Sequence, residues 1–157
     1  MSASLDNLYQ QVILDHAKAR HGDAGSLDDL AAATTGPHAE HYERNPTCGD
    51  EITVRLALDP ETGRVADLRW SGAGCSISMA SASVLSQLAP GRTLDELAAL
   101  VGEFREMMRS RGAGEPDDEV LGDAVVFHGV SKFVMRVKCG MLAWVAAEVC
   151  GRELATA

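Results

Sequence analysis

The sequence predicts an α+β fold, a small antiparallel sheet packed against helices. Residues 52–58 alternate with β-branched residues and read as a strand, and residues 65–71 read as the returning strand of a hairpin across the turn Asp59-Pro60-Glu61-Thr62-Gly63. Apolar residues at helical spacing lie on both sides of that hairpin. Hydrophobic residues make up 46% of the 157-residue chain and aromatics only 4%, so an aliphatic, alanine-rich core can form without disulfide staples.

Each element has its own signal. Leu5, Leu8, Val12, Ile13 and Ala17 form the stripe of an amphipathic helix over residues 5 to 20, ended by Gly22 and Gly25. His16, Arg20 and His21 fall near its C-terminal end, where positive charge suits the helix dipole, and both histidines are expected at a solvated or capped helix end. Residues 22–37 read as loop, with Gly36-Pro37 as a breaker. A short alternating segment, residues 39–43, leads into Asn45-Pro46-Thr47-Cys48-Gly49-Asp50, an exposed turn by composition. After the hairpin, Gly72-Ala73-Gly74 ends the second strand. Small residues with Ile77, Val84 and Leu88 then predict a packed helix over 76–88, stopped by Pro90-Gly91. Thr93-x-x-Glu96 is a capping-box pattern opening a helix whose face carries Leu94, Leu97, Val101, Phe104 and Met108. Met107 and Met108 read as core filler. Residues 112–118 form a polar loop, and a final helix has the stripe Val134, Val137, Met141, Val145 and Val149. No internal repeat or low-complexity linker interrupts the chain, so residues 1–157 are expected to form a single domain.

The formal net charge is −9 and no Lys/Arg block occurs, which argues against nucleic acid and against an anionic membrane surface as partners. A partner with a basic patch is electrostatically favoured. Residues 1–10 lack a basic segment followed by an apolar one, and no apolar run reaches the roughly 18 residues of a membrane span. A cytoplasmic protein is expected. In a reducing compartment its four cysteines read as metal ligands or reactive thiols.

Cys48, Asp50, Cys75 and Cys139 are the candidate ligand set. Zinc takes thiolate and carboxylate donors in tetrahedral geometry. Cys48-x-Asp50 offers two donors from one turn, with Gly49 between them. Cys75 follows Gly72-Ala73-Gly74 at an expected helix start, where the dipole favours thiolate, and Cys139 lies on the last helix. Spacing alone leaves two readings open, a shared metal site or packed, inert thiols. Cys150 is set apart, because eleven residues of helix put it about 16 Å from Cys139 along the axis. Three thiolates, one carboxylate and Zn²⁺ sum to about −2. Arg136, three residues before Cys139, can share its face and offset that charge, whereas Lys138 is rotated away and, with Lys132, reads as solvated.

Asn45-Pro-Thr-Cys-Gly-Asp50, Gly72-Ala-Gly-Cys-Ser-Ile-Ser78 and Gly129-Val-Ser-Lys-Phe-Val-Met-Arg-Val-Lys-Cys139 resemble the motifs of the SufU branch of the IscU/NifU-type iron–sulfur cluster assembly family. The segment Leu8-Tyr-Gln-Gln-Val-Ile-Leu-Asp-His16 also fits. IscU-type scaffolds carry His where this chain has Lys138, and residues 93–118 resemble the insertion of the SufU branch. Val134 departs from the family, many members having Pro there. The resemblance implies a SufE/NifU-like fold, with Zn²⁺ held by Cys48, Asp50, Cys75 and Cys139. It also implies that the chain accepts persulfide sulfur from a SufS-type, pyridoxal-phosphate-dependent cysteine desulfurase, a sulfurtransferase role serving the downstream iron–sulfur assembly machinery. Cys48, on a Gly/Pro-rich turn, is then the ligand expected to leave the metal and carry sulfur, with a desulfurase histidine taking its place. Arg136 pairs with the released thiolate or with a partner carboxylate, and Asp50, a hard ligand among soft ones, loosens the site. Two other readings are an IscU-like scaffold, on which the same ligands hold a cluster, and a purely structural zinc.

Overall fold

In the computed structural model, which describes residues 3–32 and 36–157, the strand signals produce a three-stranded antiparallel sheet in the order β1 (His38–Asn45), β2 (Asp50–Leu58), β3 (Val65–Ala73). The β2–β3 register sets Val54 opposite Trp70 and Leu56 opposite Leu68, and these four side chains are buried. Alternation places them on one face. The alternating segment before the Cys48 turn is itself a strand, β1, longer than its sequence signal, with Asn45 paired to Asp50 across the turn. Its glutamates and histidines are tied to neighbours (Glu40 to Arg55, His41 to Glu43), so a polar strand holds the edge of the sheet.

Six α-helices complete the described chain: α1 (Ala3–Ala19), α2 (Leu27–Ala32), α3 (Ser76–Leu88), α4 (Leu94–Arg109), α5 (Asp118–Leu121) and α6 (Val134–Thr156), with a 3-10 segment, Gly122–Lys132, before the last. No helix among the described residues is long and apolar enough to cross a membrane. The short α2 falls in a stretch expected to be loop. Ser26 accepts the Asp29 N–H and donates to its carboxylate, a local cap that starts a turn of helix. Residues 33–35 of that expected loop lie outside the described residues. The Thr93 capping box forms as its pattern predicts, Thr93 Oγ1 accepting the Glu96 N–H and the Glu96 carboxylate accepting the Thr93 N–H.

Two expectations need correction. His16 is not at a solvated helix end. It is buried, with Nδ1 2.9 Å from Ser83 Oγ and Nε2 3.3 Å from Asp123, so it clips α1 to α3 and to the 3-10 segment. The stripe Val134, Val137, Met141, Val145, Val149 is also not the buried face of α6. Val134 is exposed and the other four are half-buried, while Cys139, Leu142, Ala143, Trp144, Ala146, Ala147 and Cys150 are buried. The reason is packing from several sides. The helix meets β1, β2, α3 and α4 at once, and alanines let these neighbours approach closely. Ser81 on α3 donates to the Gly140 carbonyl (2.6 Å) and accepts from Trp144 Nε1 (2.8 Å), fixing the α3–α6 crossing.

The α4 helix, within the expected insertion, is part of the core. Phe104 stacks on Trp144 with centroids 3.9 Å apart, and Arg105 grips Glu148 through two 2.8 Å hydrogen bonds. These contacts fasten α4 to the helix that carries Cys139. The Arg105 hydrogen bonds hold the Glu148 carboxyl below its usual value against the opposing effect of burial. A carboxylate lowered on folding adds stability fully above its unfolded value of about 4.3, and that stability fades as pH falls through the folded value. We therefore expect Glu148→Gln to lower stability by about 1 kcal/mol at pH 7, read as a lower urea midpoint. The deficit should shrink toward zero as the titration moves below pH ~4.

Candidate metal centre

Three chain segments meet at one end of the sheet. The β1–β2 turn projects Cys48 into solvent and starts β2 with the buried Asp50. The β3–α3 junction makes Cys75 the N-cap residue of α3, half-buried. The second turn of α6 supplies Cys139, which is fully buried. One ligand atom each from Cys48, Asp50 and Cys139 lie within 4.8 Å of one another. Cys75 Sγ is 3.5 Å from Asp50 Oδ2 and also interacts with Cys139, so it adjoins this group without being that close to every member.

The spacing suits a tetrahedral cation. Zn–S bonds of about 2.3 Å at tetrahedral angles put two sulfurs about 3.8 Å apart, and a carboxylate oxygen and a sulfur about 3.6 Å apart. Cys48 and Cys139 Sγ are 3.7 Å apart, and Asp50 Oδ2 and Cys75 Sγ 3.5 Å. The donor set, sulfur with one carboxylate, also suits zinc.

Asp50 is oriented by its surroundings. Ser78 Oγ donates to Oδ2 at 2.6 Å and the Cys75 N–H to Oδ1 at 3.2 Å, so the carboxylate sits against the open N-terminus of α3. Burial alone would raise its pKa. The hydrogen bonds from Ser78, Cys139 and Cys75 outweigh burial and hold it below the usual range, as an anion ready to coordinate. Gly74 is required by space, since a Cβ there would stand 2.8 Å from Asp50 Cγ.

For Cys139 the balance runs the other way. Burial, the hydrogen bond with Cys48 and the nearby Cys75 push its thiol up to about 12. Another negative charge is disfavoured in this buried corner, and a divalent cation reverses that preference. Cys150 is remote from the group. It is buried, hydrogen-bonded to the Val54 carbonyl at 3.6 Å, and raised to about 12 chiefly by burial.

The two flanking cations diverge. Arg136 is exposed, has no ion pair among the described residues, and lines a cleft of about 650 Å³ with Tyr9, Leu14, Ser76 and Phe133. Lys138 lines a separate, smaller groove beside Glu43 and Pro46. Two contributors escaped the sequence reading. Ser78 had a usable signal, a hydroxyl three residues beyond the N-cap, where side chains reach back over a helix end. Asn45 sat inside a recognised motif with no role, because its partner lies on another element.

The family profile for the NifU-like N terminal domain matches residues 8–140. The chain is 40% identical over 148 residues to the zinc-dependent sulfurtransferase SufU of Bacillus subtilis, covering 94% of this chain and 91% of that one. It is 36% identical over 142 residues to the iron–sulfur cluster assembly scaffold protein IscU of Streptococcus pyogenes, covering 90% and 81%. A solved structure from Fervidobacterium islandicum, described as an iron–sulfur cluster assembly scaffold protein for the SUF system, superposes with a TM-score of 0.72 at 30% identity, covering 89% of this chain and 93% of that one.

The carboxylate's supports make a direct prediction. Ser78→Ala and Gly74→Ala should keep the far-ultraviolet spectrum of the parent but bind zinc about 10- to 100-fold more weakly in chelator competition, because the first removes a hydrogen bond that orients Asp50 and the second displaces the Asp50 carboxylate itself.

Proposed function

The chain belongs to the family of NifU-like N-terminal domains, and from that premise we propose that it is a zinc-dependent sulfur acceptor. In this reading it takes persulfide sulfur from a SufS-type cysteine desulfurase and delivers it to iron–sulfur cluster assembly. The observation that carries the reading is an asymmetry within the donor set, the exposed Cys48 sulfur lying 3.7 Å from the buried Cys139 sulfur. The likeness to the Bacillus sulfurtransferase over nearly the whole chain supports it. We assign the activity to the cytoplasm, where thiols stay reduced.

Cys48, Asp50, Cys75 and Cys139 would hold the zinc, which when bound keeps its cysteine ligands as thiolates and fixes their spacing. The chain's own residues divide the remaining work. Cys48 sits on a turn open to a partner, so its thiolate is the nucleophile. It attacks the outer sulfur of the partner's persulfide and forms a new S–S bond. The persulfide's own S–S bond breaks, and its electron pair leaves with the partner cysteine as a thiolate. Nothing is oxidised or reduced overall; one sulfane sulfur changes hosts. Cys75 and Cys139, held by helices, stay in place. To Arg136 we assign the pairing of a partner carboxylate or of the released thiolate, supported by its exposure in a cleft that also contains Ser76, next to Cys75.

A second reading, a scaffold that holds the cluster itself, draws on the likeness to the Streptococcus scaffold. Lys138, where IscU-type scaffolds carry His, counts against it. Anaerobic reconstitution with iron and sulfide, followed by Mössbauer spectroscopy, separates the two, since a stable cluster passed on faster than sulfur would favour the scaffold.

Desulfurase turnover tests the main reading. Wild-type, zinc-loaded protein should stimulate it and Cys150→Ala should match wild type, whereas Cys48→Ala should leave the rate at its value without this protein. Zinc-stripped protein that remains folded should also fail. Full stimulation by Cys48→Ala would remove Cys48 from the acceptor role.

A further inference from the structure

Asn45 makes three separate ties at the metal centre. Its backbone carbonyl accepts the Gly49 N–H at 2.8 Å. Its side-chain Oδ1 accepts the Thr47 N–H at 3.2 Å, closing an Asx-type turn. Its Nδ2 lies 3.8 Å from Cys139 Sγ, within donor reach of the larger sulfur atom. The two backbone amides on either side of Cys48 are thus both held by one residue, and the same residue's free amide end is turned onto the opposing sulfur.

That residue is itself fixed. Asn45 is 4% exposed, ends β1, and pairs with Asp50 across the turn. A buried amide placed so must find partners for its polar atoms, and here it finds one on the turn and one on α6. Between the two held amides stands only Cys48, followed by Gly49 at φ +74 with nothing within 4 Å of the position a Cβ would take. Glycine reaches that backbone region without strain and open space surrounds it, so the turn can bend there while Asn45 stays seated.

We propose that Asn45 is a positioning residue that sets the spacing of Cys48 and Cys139, bracing the turn through its oxygen and the Cys139 sulfur through its amide hydrogens. The inference rests on the metal-centre reading above and sharpens it. Asn45 divides the donor set into a part that can move, Cys48, and a part that is retained, Cys139.

The two ends of the amide can be cut separately. Asn45→Asp is nearly isosteric and keeps the oxygen for the Thr47 N–H, but it turns an acceptor toward Cys139. Asn45→Ala loses both ends. We expect both variants to bind zinc at least about 10-fold more weakly, Asn45→Asp more so because it adds a like charge. In the cobalt(II)-substituted proteins the thiolate-to-cobalt charge-transfer band should shift in both. Alkylation of the metal-free proteins by iodoacetamide should then divide them, Cys48 reacting several-fold faster than wild type in Asn45→Ala and no faster than wild type in Asn45→Asp. Residue filling alone would alter melting temperature without this split. Wild-type zinc affinity and an unshifted cobalt band in Asn45→Asp would overturn the proposal. Because none of these readouts uses the desulfurase, a failure of the sulfur-acceptor reading would appear separately, as wild-type protein that binds zinc and does not stimulate turnover.

Discussion

The Asp50 carboxylate against the N-terminus of α3 is the interaction on which the site depends. It joins the first residue of β2 to the helix that follows β3, through the Ser78 hydroxyl and the Cys75 amide. A buried carboxylate is costly unless it is fully hydrogen-bonded, and the helix end offers unpaired N–H groups that are costly for the same reason. Each satisfies the other. One contact closes the sheet–helix junction and places an anionic oxygen among sulfurs, with Gly74 leaving just the room it needs.

Around that junction the molecule is graded in rigidity. Cys139 sits on α6, which is packed by β1, β2, α3 and α4 and pinned by the Ser81 bridge and the Phe104–Trp144 stack. Cys75 opens α3, whose inner face is almost wholly buried. Cys48 alone among the four cysteines is exposed, on a turn joined to the sheet at its two ends. A sulfur that must visit a partner and sulfurs that must wait for it call for different mechanical support, and the packing supplies that difference. The α4 helix, expected from sequence as an insertion, serves this gradient by stacking on α6 rather than standing apart.

Much of this was legible in the residues. The hairpin, the α3 boundaries, the Thr93 capping box and the core role of Met107 and Met108 follow from local patterns, because each depends on neighbours a few positions away. The same holds for the turn at Cys48 and for Cys75 at a helix start. The α6 face was misread because helical periodicity assumes one buried side, and this helix is covered on several. His16 was misread because its partners, Ser83 and Asp123, lie 67 and 107 residues away.

Sequence by itself determined which residues could be ligands and where the chain must turn, since donor chemistry and turn propensity belong to single residues and their neighbours. Only the tertiary structure decided that Cys48, Asp50 and Cys139 share one space, that Cys75 adjoins them at Asp50 and Cys139, and that Asn45 reaches from the turn to α6. Those facts are distances between elements set by the packing of α6 and α3 on the sheet, and a packing of many small contacts is written in no single motif.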